Sequence, residues 1–126
     1  MSALRTAAGV LLALHGIAHL PGFLAAWQLS RNPGLVYKTT VLSGRVDLGA
    51  AGIRVLGSFW LLTSLGFLYS ALSTATNRPH WLAGAAIVTI TSFALSVINW
   101  PDSRVGVAIN LFILMALAVA SDSTWR

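Results

Sequence analysis

Apolar residues fill four long blocks of the chain, and polar residues gather between them. The blocks run from about residue 4 to 29, 52 to 75, 81 to 98 and 102 to 120. A helix needs about 20 mostly apolar residues to cross the hydrocarbon core of a bilayer. The pattern therefore predicts four membrane-spanning helices. The fourth block is long enough only if its first turn begins near Pro101 or Asp102, and proline is well tolerated at such a position.

The prolines and the links between blocks support this division. Three prolines fall between blocks, where they do not interrupt a helix: Pro33, Pro79 and Pro101. Pro21 lies inside the first block, where it should kink the helix and free the carbonyl of Ile17. The link over residues 30–51 is long enough for an interfacial helix or a lid, whereas the links at 76–80 and 99–103 are short. We predict one domain that is an all-α, up-and-down bundle of four membrane-spanning helices.

Composition agrees with a membrane protein. Hydrophobic residues make up 56% of the 126 residues, charged residues 9%, and the mean hydropathy is +0.78. The net charge of +5 could suggest nucleic acid, but the basic residues stand singly beside apolar blocks, so we expect no nucleic-acid partner. The absence of cysteine excludes a disulfide framework, a thiolate metal site and a cysteine nucleophile.

Charge also predicts an orientation. With four spans, both termini lie on one side of the membrane with three basic residues, and the long loop lies on the other with five. The two sets are Arg5, Arg78 and Arg126 against Arg31, Lys38, Arg45, Arg54 and Arg104. Positive residues favour the cytoplasmic side, so we expect the long loop in the cytoplasm and the termini outside. Four tryptophans at predicted span ends resemble an interfacial aromatic belt: Trp27, Trp81, Trp100 and Trp125.

Two histidines interrupt the first span in the run LLALHGIAHLPGF. His15 and His19 are four residues apart, so they lie on one helix face, one turn above the other. Such a pair can ligate a metal, share a proton, or bind the carbonyl or hydroxyl of a ligand. The alternative is that both histidines only hydrogen-bond to neighbouring helices. We expect His19 to be the more important residue because it lies beside Pro21 and is the likelier of the two to exchange protons.

A second polar cluster, NWPDSRVGVAIN, precedes and enters the last span. At about 1.5 Å per residue, His19 lies about 13 Å below the end of the first span and Asn110 about 12 Å below the start of the fourth. We therefore expect both residues and His15 to line one cavity that opens toward the long loop, with Asp102 at its rim and Arg54 near its mouth. Alternatively, Asp102 favours a helix start, Arg54 reaches the head groups, and Asn110 joins helices.

Three kinds of function follow from this predicted site. The first is binding of a lipophilic molecule such as a quinone, isoprenoid or lipid. The second is an enzyme in which His19 and Asp102 perform acid and base catalysis. The third is a metal or haem site that uses His15 and His19, in which haem would require a second subunit. Transport and scaffolding are further alternatives, as is assembly into a homo-oligomer or a larger membrane complex. The predicted ligand-binding residues are His15, His19, Arg54, Trp100, Asp102 and Asn110.

The motifs HGIAHLPGF and WPDSRVGVAIN resemble those of a group of small bacterial four-span membrane proteins, some of which are distantly similar to the DoxX-type proteins. The resemblance covers most of the chain, but only these two motifs carry it. It implies a location in the bacterial inner membrane and no particular reaction. It also implies that one unit is formed by His15, His19, Trp100, Asp102, Gly106 and Asn110. The segment from Arg45 to Arg54 shares no pattern with that group.

Overall fold

A computed structural model describes residues 2–122 of the chain. Its helices are α1 (Ala3–Ile17), α2 (Leu20–Ala26), α3 (Gly49–Ala75), α4 (Trp81–Ile98) and α5 (Arg104–Ser121), and its two short strands are β1 (Thr40–Val41) and β2 (Val46–Asp47). Four segments are long and apolar enough to cross a membrane, the first being α1 and α2 together: Ala3–Ala26, Gly49–Ala75, Trp81–Ile98 and Arg104–Ser121. The protein is therefore a multi-pass integral membrane protein, and the predicted all-α fold with four spans is confirmed.

The first span is broken between α1 and α2, beside Pro21. The backbone amide of His19 bonds to the carbonyl of Gly16 at 3.0 Å, one residue short of the α-helical pattern. The carbonyl of His15 is therefore left without its helical partner, and the Nδ1 atom of His19 lies 2.7 Å from it. We predicted a freed carbonyl at Ile17. The break also frees the carbonyl of His15, and an imidazole hydrogen bond satisfies it inside the membrane, where water cannot.

The spans pack in chain order, α1 and α2 on α3, α3 on α4, and α4 on α5. Small residues let α3 approach the first span closely. A Cβ atom at Gly16 would lie 2.7 Å from the Cβ of Phe67, and one at Gly57 would lie 2.5 Å from the Cβ of Ala26. Both distances are shorter than real side chains allow, so these positions require glycine for the helices to meet as they do.

The interior of the bundle contains nearly as many buried polar residues as buried apolar ones among the described residues. One apolar cluster occupies the half nearer the termini, and its buried members are Leu12, Phe67, Ala71 and Val88. Buried polar residues accompany it: His15, His19, Thr63, Ser64, Ser70, Ser73, Thr74, Thr89, Ser92, Ser96 and Asn110. Large apolar side chains instead cover the outer faces of all four spans. This distribution suits a bundle whose solvent is lipid.

The fourth span starts later than predicted. Residues 99–103 form a turn, which is closed by a 2.7 Å hydrogen bond from the side-chain amide of Asn99 to the Ser103 hydroxyl. Helix α5 then begins at Arg104. Only Asn110 and Ala120 of α5 are buried. The association of α5 with the rest of the bundle therefore depends on few buried side chains.

The long loop contains the β1–β2 hairpin and no helix over residues 30–48. The hairpin tip lies on the α4–α5 link: the Leu42 amide bonds to the carbonyl of Ile98 at 2.8 Å, and the Ser43 amide bonds to that of Trp100 at 3.0 Å. At its base, the Gly49 amide donates to Asp47 Oδ1 at 2.9 Å, which holds the pKa of this carboxyl below its usual value. The loop is thus an ordered cap over one end of the bundle.

Candidate functional site

Both histidines of the pair lie inside the bundle at the break in the first span. His15 is 8% exposed and His19 3% exposed. Their rings meet edge to face with centroids 4.8 Å apart. The burial of both rings agrees with the prediction that they share one helix face. Because buried polar groups are normally hydrogen-bonded, we expect partners for the ring nitrogens.

Hydrogen bonds join the pair to α4 and α5. His19 Nε2 lies 2.6 Å from Ser92 Oγ, and His15 Nε2 lies 2.9 Å from Asn110 Oδ1. The amide nitrogen of Asn110 in turn lies 3.4 Å from the hydroxyl oxygen of Ser96, one helical turn from Ser92 on α4. These contacts connect Ser92, His19, His15, Asn110 and Ser96. We call these five residues the polar ring, because the connection starts on α4, passes through the first span and α5, and returns to α4.

The acceptors decide where the protons lie in this polar ring. A carbonyl oxygen can only accept, so His19 carries its proton on Nδ1, and the Ser92 hydroxyl donates to Nε2 of the neutral ring. The amide oxygen of Asn110 likewise requires a proton on Nε2 of His15. The two histidines are therefore opposite tautomers, and both nitrogens of His19 are already engaged within the protein.

Aromatic residues of α3 enclose the pair. The Phe67 ring lies 4.8 Å from that of His15 and 5.2 Å from that of His19, and the Trp60 ring lies 5.3 Å from that of His19. Ser64 lies between these aromatics on the same face of α3, and its buried hydroxyl has no hydrogen-bonding partner among residues 2–122.

Sequence reasoning missed the two serines of the polar ring. Serines inside a helix often bond to carbonyls of their own helix, so residue type alone gives no reason to place Ser92 and Ser96 in a site. In the structure the hydroxyl of Ser92 bonds to His19, and the hydroxyl of Ser96 contacts the side-chain amide of Asn110. The signal that could have identified them is their four-residue spacing, which matches that of the histidine pair and puts both on one helix face.

A pocket of about 90 Å³ lies on the long-loop side of the polar ring. Its walls come mainly from small and apolar residues of α2 and α3: Gly22, Ala25, Ala26, Ile53, Leu56, Gly57 and Trp60. Its polar groups come from the loop and the α4–α5 link: Lys38, Thr40, Asn99 and Asp102. Trp60 lines the pocket and also contacts the ring of His19, so its indole separates the pocket from the polar ring.

The structure divides the predicted site into two parts. Asp102 lines the pocket, as expected of a rim residue. His15, His19 and Asn110 do not line it, because they bond to one another and to α4 behind Trp60. His19 and Asn110 lie at similar depth, but the ring of His19 bonds to Ser92 of α4, and the side-chain amide of Asn110 bonds to His15. Depth alone does not specify in which direction a side chain points.

Two other predicted ligand-binding residues lie outside the pocket. The Arg54 guanidinium lies over the Trp27 ring with its Cζ 5.4 Å from the ring centroid. Trp100 is 46% exposed, and its backbone carbonyl accepts a hydrogen bond from the backbone amide of Ser43 in the hairpin. Lys38, which sequence reasoning had not included in the site, forms an ion pair with Asp102, and both residues line the pocket.

The expected metal and aromatic features have mixed outcomes. Within residues 2–122 there is no group of three or more His, Cys, Asp or Glu side chains that could hold a metal ion. Trp27 and Trp100 are exposed near span ends, as a belt requires, but Trp81 is 7% exposed and lies under the Arg5 guanidinium. Trp125 and Arg126 lie outside the described residues.

Comparison of the chain with protein-family models, with curated proteins and with solved structures finds no match in any of the three. The resemblance to small bacterial four-span proteins therefore stays a prediction, and the argument for function depends on the geometry of this chain.

Proposed function

We propose that the protein binds one end of a lipophilic molecule, such as a quinone, an isoprenoid or a lipid, in the pocket beneath the Lys38–Asp102 ion pair. The observation that carries this proposal is the division of the pocket lining into apolar walls and a polar mouth. Binding sites for lipophilic ligands commonly combine apolar walls with a few polar groups that fix orientation. Here the apolar end of a ligand would rest against Trp60, and its polar part would meet Lys38, Thr40 and Asp102.

The size of the pocket restricts how a ligand is held. Its volume of about 90 Å³ corresponds to about three water molecules at about 30 Å³ each, whereas sites that enclose a whole small molecule have about 300 to 1,000 Å³. A pocket of this size holds only the end group of such a ligand. Lys38 and Asp102 are 45% and 51% exposed, and ion pairs so exposed contribute about 0 to 1 kcal/mol. Opening the mouth for a larger ligand therefore costs little.

Ligand binding is better supported than acid–base catalysis. Catalysis by His19 and Asp102 needs both groups within hydrogen-bond reach of one substrate. His19 uses both ring nitrogens for bonds inside the bundle, and Asp102 pairs with Lys38 at the surface. The ring of Trp60 lies against His19 on the pocket side. This arrangement gives the polar ring a positioning role, because it holds the Trp60 floor of the pocket in place.

We further propose that the long-loop face lies in the cytoplasm of a bacterial cell and that the protein resides in the inner membrane. Four exposed arginines and Lys38 surround that face, whereas the described residues of the opposite face carry Arg5 and Arg78. The chain contains no cysteine, so a single cysteine can report topology cleanly. In intact cells a membrane-impermeant maleimide should label Asn77→Cys and leave Ser43→Cys unlabelled; the reverse pattern would invert the orientation.

The pocket can be tested with a variant that fills it. Ala25→Leu adds volume at the pocket wall, and Ala83→Leu makes the same change on an exposed position of α4. We expect the parent and Ala83→Leu, purified in mild detergent, to retain a lipophilic molecule that mass spectrometry detects, and Ala25→Leu to lose it. Equal retention by the two variants would contradict binding in this pocket. Absorption spectra and metal analysis of the same samples test the quinone, haem and metal alternatives.

A further inference from the structure

Arg54 and Trp27 form a preassembled pair at the long-loop end of the first two spans. The guanidinium carbon of Arg54 lies 5.4 Å from the centroid of the indole. The indole N–H of Trp27 donates to the backbone carbonyl of Arg54 at 2.9 Å. The hydrogen bond holds the indole against the backbone of α3, and the contact with the indole restrains the guanidinium, so that less side-chain freedom is lost when the guanidinium binds a ligand.

A second pair of the same kind lies at the other end of the bundle, where the Arg5 guanidinium is 5.1 Å from the centroid of the Trp81 ring. Gly9 packs against Ala71, so Arg5, one turn further out, is level with about Ala75. Along α3, the distance from Arg54 to Ala75 is about 32 Å at about 1.5 Å per residue. The hydrocarbon core of a bilayer is about 30 Å thick. The separation of the two pairs thus matches the thickness of the hydrocarbon core, as expected if Arg54 lies near the lipid phosphates.

The surroundings of Arg54 are positively charged. Four exposed arginines lie at this end of the bundle and form no ion pair within the part of the chain that the structure describes: Arg31, Arg45, Arg54 and Arg104. The acidic groups nearby are already engaged, Asp102 by Lys38 and Asp47 by the amide of Gly49. The hydrogen bond leaves the charge of Asp47 in place, but five basic side chains outnumber these two acidic ones, so this face keeps a net positive charge.

We infer that Arg54, held by Trp27, binds the phosphate of an anionic phospholipid in the leaflet next to the long loop. The Arg54 guanidinium forms no ion pair within residues 2–122, and the N–H edges of a guanidinium match two phosphate oxygens at once. The unneutralised arginines nearby favour a lipid with net negative charge over a zwitterionic one, whose cationic group they would repel. This site faces the lipid outside the pocket and does not depend on the proposed ligand.

Lipid titrations followed by native mass spectrometry can test the inference on the purified full-length protein. The probes are phosphatidylglycerol and phosphatidylcholine with the same acyl chains. The variants are Arg54→Gln and Arg54→Lys, and the matched control is Arg78→Gln, which removes one exposed charge at the opposite face. We expect the parent to prefer phosphatidylglycerol and Arg54→Gln to lose roughly five-fold in affinity for it, as one basic residue at a membrane surface contributes. Arg54→Lys should be intermediate, and Arg78→Gln should match the parent.

Two results would overturn the site. One is equal affinity of the parent for both lipids. The other is an equal loss in Arg54→Gln and Arg78→Gln, which would show a general effect of charge. Thermal unfolding of each variant without added lipid checks that the fold is intact. A Trp27→Leu variant offers a second test, because it keeps the charge of Arg54 and removes its support: it should weaken phosphatidylglycerol binding, and unchanged binding would contradict the role of the preassembled pair.

Discussion

The bond between His15 and Asn110 should stabilise the bundle measurably, because it joins the first span to a helix with few other buried residues. Asn110→Leu keeps a similar size and removes the amide. The change deletes the 2.9 Å bond to His15 and the 3.4 Å contact with Ser96. It also leaves the Nε2 proton of His15 buried without an acceptor. We expect the variant to insert but to unfold more easily.

The magnitude can be worked from these bonds. Leaving a buried donor unsatisfied costs about 1 to 3 kcal/mol, and hydrogen bonds between membrane helices average about 0.6 kcal/mol with a maximum near 1.7. We therefore expect Asn110→Leu to lower the free energy of unfolding by about 1 to 3 kcal/mol. A double-mutant cycle with His15→Phe should give a coupling of about 0.6 to 1.7 kcal/mol. The coupling isolates the pair from other effects of each substitution.

Tryptophan fluorescence can follow unfolding in mixed micelles as the fraction of denaturing detergent rises. The chain has five tryptophans, so the signal reports unfolding of the bundle as a whole, and it includes Trp60, whose ring contacts that of His19. Ile109→Leu, on an exposed position of the same helix, is the control and should unfold like the parent. A coupling of zero, or equal stability of Asn110→Leu and Ile109→Leu, would refute the reasoning.

Three further predictions follow from the same contacts. His19→Ala should lower retention of the pocket ligand more than His15→Ala, because only His19 contacts the Trp60 floor; copurified ligand measured by mass spectrometry checks this, and equal loss contradicts it. The pKa of Asp47 is lower in the folded protein than its ordinary value of 3.8, so the ionised carboxylate stabilises the fold fully above pH 3.8. This stabilisation is lost as the pH falls through the folded pKa. Asp47→Asn should therefore reduce the loss of stability at acid pH in a pH-dependent unfolding curve. Gly16→Ala should destabilise the bundle, because its Cβ would lie 2.7 Å from a side-chain carbon of α3; thermal unfolding equal to the parent would contradict the close approach.

The four spans could be predicted from sequence because lipid leaves the backbone little choice. A run of about 20 apolar residues in a membrane must satisfy its hydrogen bonds within itself, and the helix does this. Pro21 likewise predicts a break in the first helix, since proline has no backbone amide proton to donate. The inward position of His15 and His19 follows from their spacing together with the cost of exposing polar groups to hydrocarbon. Each of these inferences depends on local chemistry and on the solvent alone.

The tertiary structure decided which polar groups meet. The break lets the imidazole of His19 take the freed carbonyl of His15 and the hydroxyl of Ser92, so Asn110 bonds to His15 instead. The pocket also depends on where the loop folds, because Lys38 reaches Asp102 from a segment without a periodic pattern. Hydropathy records how deep a residue lies, but the direction of a side chain and the path of a loop are set by packing between helices, which residues distant in sequence determine together.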